Sequence, residues 1–147
     1  MTTQTSPIHV LMVEDDAEDV VLTKESLTNS KVTLDLHVVE DGEEALLYLR
    51  KTPPYASVPR PDVILLDLNL PKKNGREVLS EMQQDIHLRS IPVIVLTTSD
   101  QEEDVLKTYE LGANCYITKP VGLDQFMKVV NAIDNFWFSI VKLPSRK

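Results

Sequence analysis

The sequence predicts an α/β protein built on a doubly wound, five-stranded parallel sheet with helices on both faces. Three observations carry this. Val63-Ile64-Leu65-Leu66 is an unbroken apolar run, as in a strand buried on both sides. Comparable runs at Ile8 to Val13, Leu34 to Val39, Ile91 to Thr97 and Asn114 to Thr118 alternate with helical patterns, which implies parallel strands joined by helical crossovers. The chain has 147 residues, which fits one compact domain with no room for a second.

Each element has a local reason. After the first strand, Ile8 to Val13, residues Ala17, Val20, Val21 and Leu27 recur at helical spacing, and Asp16 is placed to cap the helix. The second strand, Leu34 to Val39, is followed by an Asp41-Gly42 turn and a helix from Glu43 to Lys51. Thr52 to Pro61 holds four prolines in ten residues, which forbids regular structure and predicts a stiff extended loop. The third strand is Asp62 to Asp67, and the third helix is Gly75 to Gln84, with Val78, Leu79 and Met82 inward. Ile91 to Thr97 is the fourth strand, Asp100 to Leu111 a helix stopped by Gly112, and Asn114 to Thr118 the fifth strand. The last helix is expected from about Leu123 to Trp137, on a core spanning about 7–135, with 136–147 as a C-terminal extension.

Composition narrows the function. The net charge is −8, and Lys and Arg form no stripe of the kind nucleic-acid phosphates need; Lys142, Arg146 and Lys147 are too sparse to change that. No apolar stretch reaches the ~18 residues of a membrane span. Met1 to Pro7 lacks the layout of a signal peptide, so a cytoplasmic protein is expected. The single cysteine, Cys115, excludes an internal disulfide and reads as a small buried hydrophobe. His9, His37 and His87 share no ligand spacing and read as structural.

The chemistry gathers at strand ends. Strand one ends in Glu14-Asp15-Asp16, strand three in Asp67, strand four in Thr97-Thr98, and strand five is followed by Lys119-Pro120. In a doubly wound sheet these ends meet at one edge, where ligands bind. Clustered carboxylates repel one another and need a divalent cation, and hard oxygen ligands suit Mg²⁺. A metal, an ammonium and a hydroxyl around one carboxylate is the set that phosphoryl transfer requires. Asp67 is then the nucleophile, becoming an acyl phosphate. Singly, each residue has a plainer reading: Asp16 as a cap, Asp67 as a strand end, Thr97 as an ordinary strand residue, Lys119 as a surface cation, Tyr116 as core. The joint pattern at successive strand ends favours the site.

On these motifs, Val13-Glu14-Asp15-Asp16, Leu66-Asp67-Leu68-Asn69-Leu70-Pro71 with Gly75, Leu96-Thr97-Thr98, and Tyr116-Ile117-Thr118-Lys119-Pro120, the chain resembles a response-regulator receiver domain over roughly residues 7–135. The resemblance implies a flavodoxin-like strand order, 2-1-3-4-5. It implies that Asp67 accepts a phosphoryl group from a histidine kinase. Asp15, Asp67 and the Asn69 carbonyl would bind Mg²⁺, with Glu14 helping directly or through water. Thr97 and Lys119 would contact the phosphoryl group, and Tyr116 would change rotamer with Thr97. Lys119-Pro120 would be cis, Asn69 and Ser99 would flank the water that hydrolyses the acyl phosphate, and the face of helix four, strand five and helix five would carry the signal. The proline-rich insertion and the tail further resemble single-domain regulators that partner cyanobacterial-type phytochrome kinases.

Rival readings are a receiver-like binding module that no longer uses phosphate, an aspartate-nucleophile phosphatase, and a flavodoxin-like cofactor carrier. Asp67-Leu68-Asn69 lacks the second acid of the phosphatase pattern, and Glu14-Asp15-Asp16 would repel a cofactor phosphate. The last helix carries a stripe for the sheet, Leu123, Phe126, Met127, Val130, Ile133 and Trp137. Val129, Ala132, Phe136, Phe138, Ile140 and Val141 are surplus to it, which predicts a homodimer through that helix and the tail.

Overall fold

The computed structural model describes residues 7–98, 101–138 and 141–144. β1 (Ile8–Val13), β2 (Leu34–Val39), β3 (Val63–Leu66), β4 (Val93–Thr97) and β5 (Cys115–Thr118) form one parallel sheet in the order β2-β1-β3-β4-β5, as expected. The crossovers are α1 (Ala17–Leu27), α2 (Gly42–Leu49), α3 (Gly75–Gln83), α4 (Glu102–Glu110) and α5 (Leu123–Ile133).

Strand alternation sorts the apolar residues into two cores. Leu11, Val13, Ile64, Leu66, Val93 and Val95 face α2 and α3. Val10, Met12, Val63, Leu65, Ile94 and Leu96 face the opposite way, toward α1 and α5. Every residue of β3 is buried, and at about 1.5–3 kcal/mol per side chain this central strand anchors both layers. Val78, Leu79 and Met82 point inward, as their spacing predicts. Val21 does not: it faces solvent, and α1 instead buries Thr23 and Ser26 beside Leu27. Thr23 is tolerated there because its hydroxyl donates to the Asp19 carbonyl at 2.7 Å.

The proline-rich loop is pinned at both ends. Tyr55 donates its hydroxyl to Glu44 Oε1 at 2.6 Å, and Arg60 reaches the His87 carbonyl and, at 3.0 Å, Ser90 Oγ. His9 and His37 continue a ring ladder through Tyr48 to Tyr55, so both are structural as expected. His87 is exposed and lines a surface cleft with Arg50, Lys51 and Arg60.

Two expectations change at the end of the chain. Cys115 is half-buried rather than buried, because β5 is the edge strand. The last helix leaves α-geometry at Ile133 and continues as a π-helical turn, Asp134–Phe138. A π-turn holds one more residue than an α-turn, so Phe138 is buried in the second core while Trp137, half-buried, packs against the same cluster. Phe138 is 3% exposed and Leu143 packs on the same cluster, so the segment beyond residue 135 adds to the core. Leu123, assigned to the buried stripe by its spacing, is exposed at the first turn of α5. Ile140, Arg146 and Lys147 lie outside the described residues.

Candidate functional site

The strand ends are brought into register by backbone hydrogen bonds. The Glu14 amide donates to the Val39 carbonyl at 3.0 Å, and the Asp67 amide donates to the Val13 carbonyl at 3.1 Å, so both acids start from fixed positions beside the β1 terminus. The Lys119 amide donates to the Thr97 carbonyl at 2.6 Å, extending the β4–β5 ladder past its last residue. Asp16 caps α1, accepting from the amides of Glu18 and Asp19 at 3.0 and 3.1 Å. Gly75 opens α3 directly against the end of β3: a Cβ there would lie 2.4 Å from the Asp67 carbonyl oxygen, so only glycine fits without displacing that backbone.

Glu14, Asp15 and Asp67 each offer a carboxylate oxygen, all within 4.8 Å of one another. Glu14 and Asp67 are buried and Asp15 is exposed, so the cluster opens to solvent on one side. Asn69 is exposed, and its amide donates to Asp67 Oδ1 at 3.3 Å, which leaves its carbonyl in the loop just after Asp67. This hard-oxygen set fits a divalent cation.

Lys119 threads into the cluster. Its Nζ lies 2.5 Å from Glu14 Oε1, 2.9 Å from Asp19 Oδ2 and 3.4 Å from Asp67 Oδ2. Burial works against the ammonium's charge, but hydrogen bonds to Glu14 and Asp19 and the nearby Asp67 outweigh it and raise the pKa. Lys119 is therefore held protonated. Burial is also the largest influence on Glu14, with Asp67 adding to it; the Lys119 hydrogen bond opposes both, and the carboxyl is pushed up to about 7. The ammonium stays charged, anchored by three acceptors, and Glu14 is the group that gives way as pH falls.

Thr97 is buried at the end of β4, and its Oγ1 has no hydrogen-bond partner among the described residues. Tyr116 is half-buried against the first core, and its amide donates to the Tyr109 hydroxyl at 3.1 Å, tying β5 to α4. Lys119-Pro120 is not cis; among the described residues the cis peptide bond is Pro53-Pro54. Trans is the lower-energy isomer even before proline, and the flexible lysine stem reaches the acids without a cis bond. Ser99 lies outside the described residues.

The structure brings Glu14, Asp15, Asp67 and Lys119 together at one edge and adds Asp19, which the sequence did not single out. Its only signal is position: it stands one helical turn beyond Asp15, where a first-turn acid reads as a complement to the helix dipole. Tyr109 is missed as well, because on an amphipathic helix an aromatic reads as surface or core.

Residues 10–131 match the family model for the response regulator receiver domain. The chain belongs to the response-regulator receiver family. Receivers are phosphoacceptor switches that interact with histidine kinases. This receiver is 47% identical to the response regulator Rcp1 of Synechocystis sp. over 95% of both chains. It is similar to the phosphorylated cyanobacterial phytochrome response regulator RcpA, with a TM-score of 0.92 and 48% identity over 95% of this chain and 100% of that one. The Mn²⁺-bound form of Rcp1 superposes with a TM-score of 0.92 at 47% identity, again over 95% of this chain and 100% of that one. Together with the acidic cluster, that relative indicates a divalent-metal site in this receiver.

The raised pKa of Glu14 has a signed consequence. Between its ordinary value of 4.5 and about 7, the folded metal-free protein binds more protons than the unfolded chain, so this group's contribution to stability falls as pH rises through that window. Urea denaturation in chelator at several pH values should show wild type losing stability relative to Glu14→Gln from pH 5 to 7.5. A difference between the two that stays constant with pH contradicts the assignment.

Proposed function

We propose that Asp67 is the phosphoacceptor of a two-component relay, taking the phosphoryl group from the phosphohistidine of a sensor histidine kinase. The observation that carries this reading is the convergence on Asp67 of a divalent-metal donor set and a buried ammonium 3.4 Å from its Oδ2. A carboxylate oxygen of Asp67 attacks phosphorus in line, the P–N bond to the kinase imidazole breaks, and the imidazole leaves with the electron pair. The metal is Mg²⁺ in this reading, held by Glu14, Asp15, Asp67 and the Asn69 carbonyl; when bound it neutralises charge on the transferring oxygens. Lys119 pairs with one phosphoryl oxygen, and the Thr97 hydroxyl, with hydrogen-bonding capacity to spare, takes another. The same pocket catalyses the acceptor's own phosphorylation and its later hydrolysis.

The signal leaves through α4, β5 and α5. Movement of Thr97 toward the phosphoryl group pulls on the hydrogen bond that its carbonyl accepts from the Lys119 amide, and Tyr116 repacks with it. Tyr109, whose hydroxyl holds the Tyr116 amide, carries the change to an exposed face with Leu106. The likeness to RcpA and Rcp1 supports a phytochrome-type photoreceptor kinase as the donor. The α5 face supports a homodimer: Ile117, Val129, Ala132, Phe136 and Trp137 line a shallow apolar groove, and Phe136 is 53% exposed.

Incubation with acetyl phosphate and Mg²⁺, read on a phosphate-affinity gel, should give one shifted species that Asp67→Asn abolishes. An unshifted wild type supports the phosphorylation-independent alternative, and a shift retained in Asp67→Asn contradicts the acceptor assignment. For assembly, Phe136→Asp is the suitable variant, since truncation at residue 135 would remove the buried Phe138. Light scattering should place wild type near twice the 16.6 kDa chain mass and the variant near it. Equal masses count against a dimer on this face.

A further inference from the structure

We propose that Asp19 is a positioning residue that parks the Lys119 ammonium clear of the metal ligands, so that cation and ammonium occupy the pocket together. The inference rests on the divalent-metal reading of the Glu14, Asp15 and Asp67 cluster.

The difficulty it resolves is a competition. An ammonium has three N–H donors, and those of Lys119 face Glu14, Asp19 and Asp67 at 2.5, 2.9 and 3.4 Å. Two of these acceptors, Glu14 and Asp67, belong to the metal donor set. An entering divalent cation takes the same oxygens and repels the ammonium at close range. Lys119 cannot escape to water cheaply, because its side chain is only 6% exposed. Asp19 is the one acceptor of the three outside the metal cluster, and it lies on the more exposed side, at 20%.

The local structure fixes Asp19 for this task. Its amide is held by the Asp16 cap at 3.1 Å, and its carbonyl accepts from Thr23 Oγ1 at 2.7 Å, so its backbone is bonded at both polar groups. The first turn of α1 favours negative charge there. The ammonium therefore has a fixed place to move when the metal arrives, and it stays beside Asp67, where a phosphoryl group would form. Without Asp19, both remaining partners of Lys119 are metal ligands, and each binding event must strip the ammonium from them.

The test is a double-mutant cycle on metal affinity with no phosphodonor present. Mg²⁺ and Mn²⁺ are titrated calorimetrically into wild type, Asp19→Asn, Lys119→Met and the double variant at fixed pH and ionic strength, with circular dichroism confirming that each is folded. Asp19→Asn should weaken binding about threefold to tenfold, and Asp19→Glu should restore most of it. Lys119→Met should bind more tightly than wild type, and adding Asp19→Asn to it should change little. An equal loss in both backgrounds overturns the proposal, because Asp19 would then act on the metal itself. Unchanged affinity in Asp19→Asn overturns it while leaving the metal site standing; a wild type that binds neither cation overturns both.

Discussion

A single buried ammonium, that of Lys119, meets carboxylates from the end of β1, the first turn of α1 and the end of β3. Four acids, counting Asp15, crowd one edge of the sheet, and their mutual repulsion would spread the strand ends without a cation among them. Lys119 is the compensating charge that the chain itself supplies. It leaves the edge net negative, and so attractive to a divalent cation. The site is thus preloaded: acids held close by an internal cation, with excess negative charge on the solvent side.

The same residue connects the pocket to the surface. Through its amide, Lys119 is bonded to the Thr97 carbonyl, and β5 leads back from it to Tyr116 and the Tyr109 hydroxyl on α4. α4 is lightly held: Thr108 is its one fully buried residue, and Arg76 of α3 clasps Asp104 at 2.6 Å. An element attached by a few polar contacts rather than a packed apolar face is one whose position a charge change at the pocket can bias. β3, by contrast, buries apolar residues into both cores and serves as the frame.

What the sequence made legible follows from one-dimensional patterns. Strands that are buried on both faces read as apolar runs, and the acids and the lysine that terminate them stand out because a dry core stops there. Helix number and the grouping of Glu14, Asp15, Asp67 and Lys119 were accessible for that reason, whereas the strand order followed only from the resemblance to receiver domains. Asp19 was not, because its partner is 100 residues away and its neighbours are also acids. Val21 misled because α1 buries Thr23, whose hydroxyl is satisfied within the helix. Phe138 misled because helical periodicity assumes an α-turn, and the π-turn at Asp134–Phe138 brings it inward beside the half-buried Trp137.

On this reading Lys119 stabilises the fold by compensating the acids, and a divalent cation takes over that role. Urea denaturation of Lys119→Met beside wild type, in chelator and in Mg²⁺ at pH 8, tests it most directly. Leaving buried carboxylates unpaired should cost the metal-free variant about 3–5 kcal/mol, and Mg²⁺ should stabilise the variant more than it stabilises wild type. A metal-free variant as stable as wild type, gaining no more from Mg²⁺, contradicts the account.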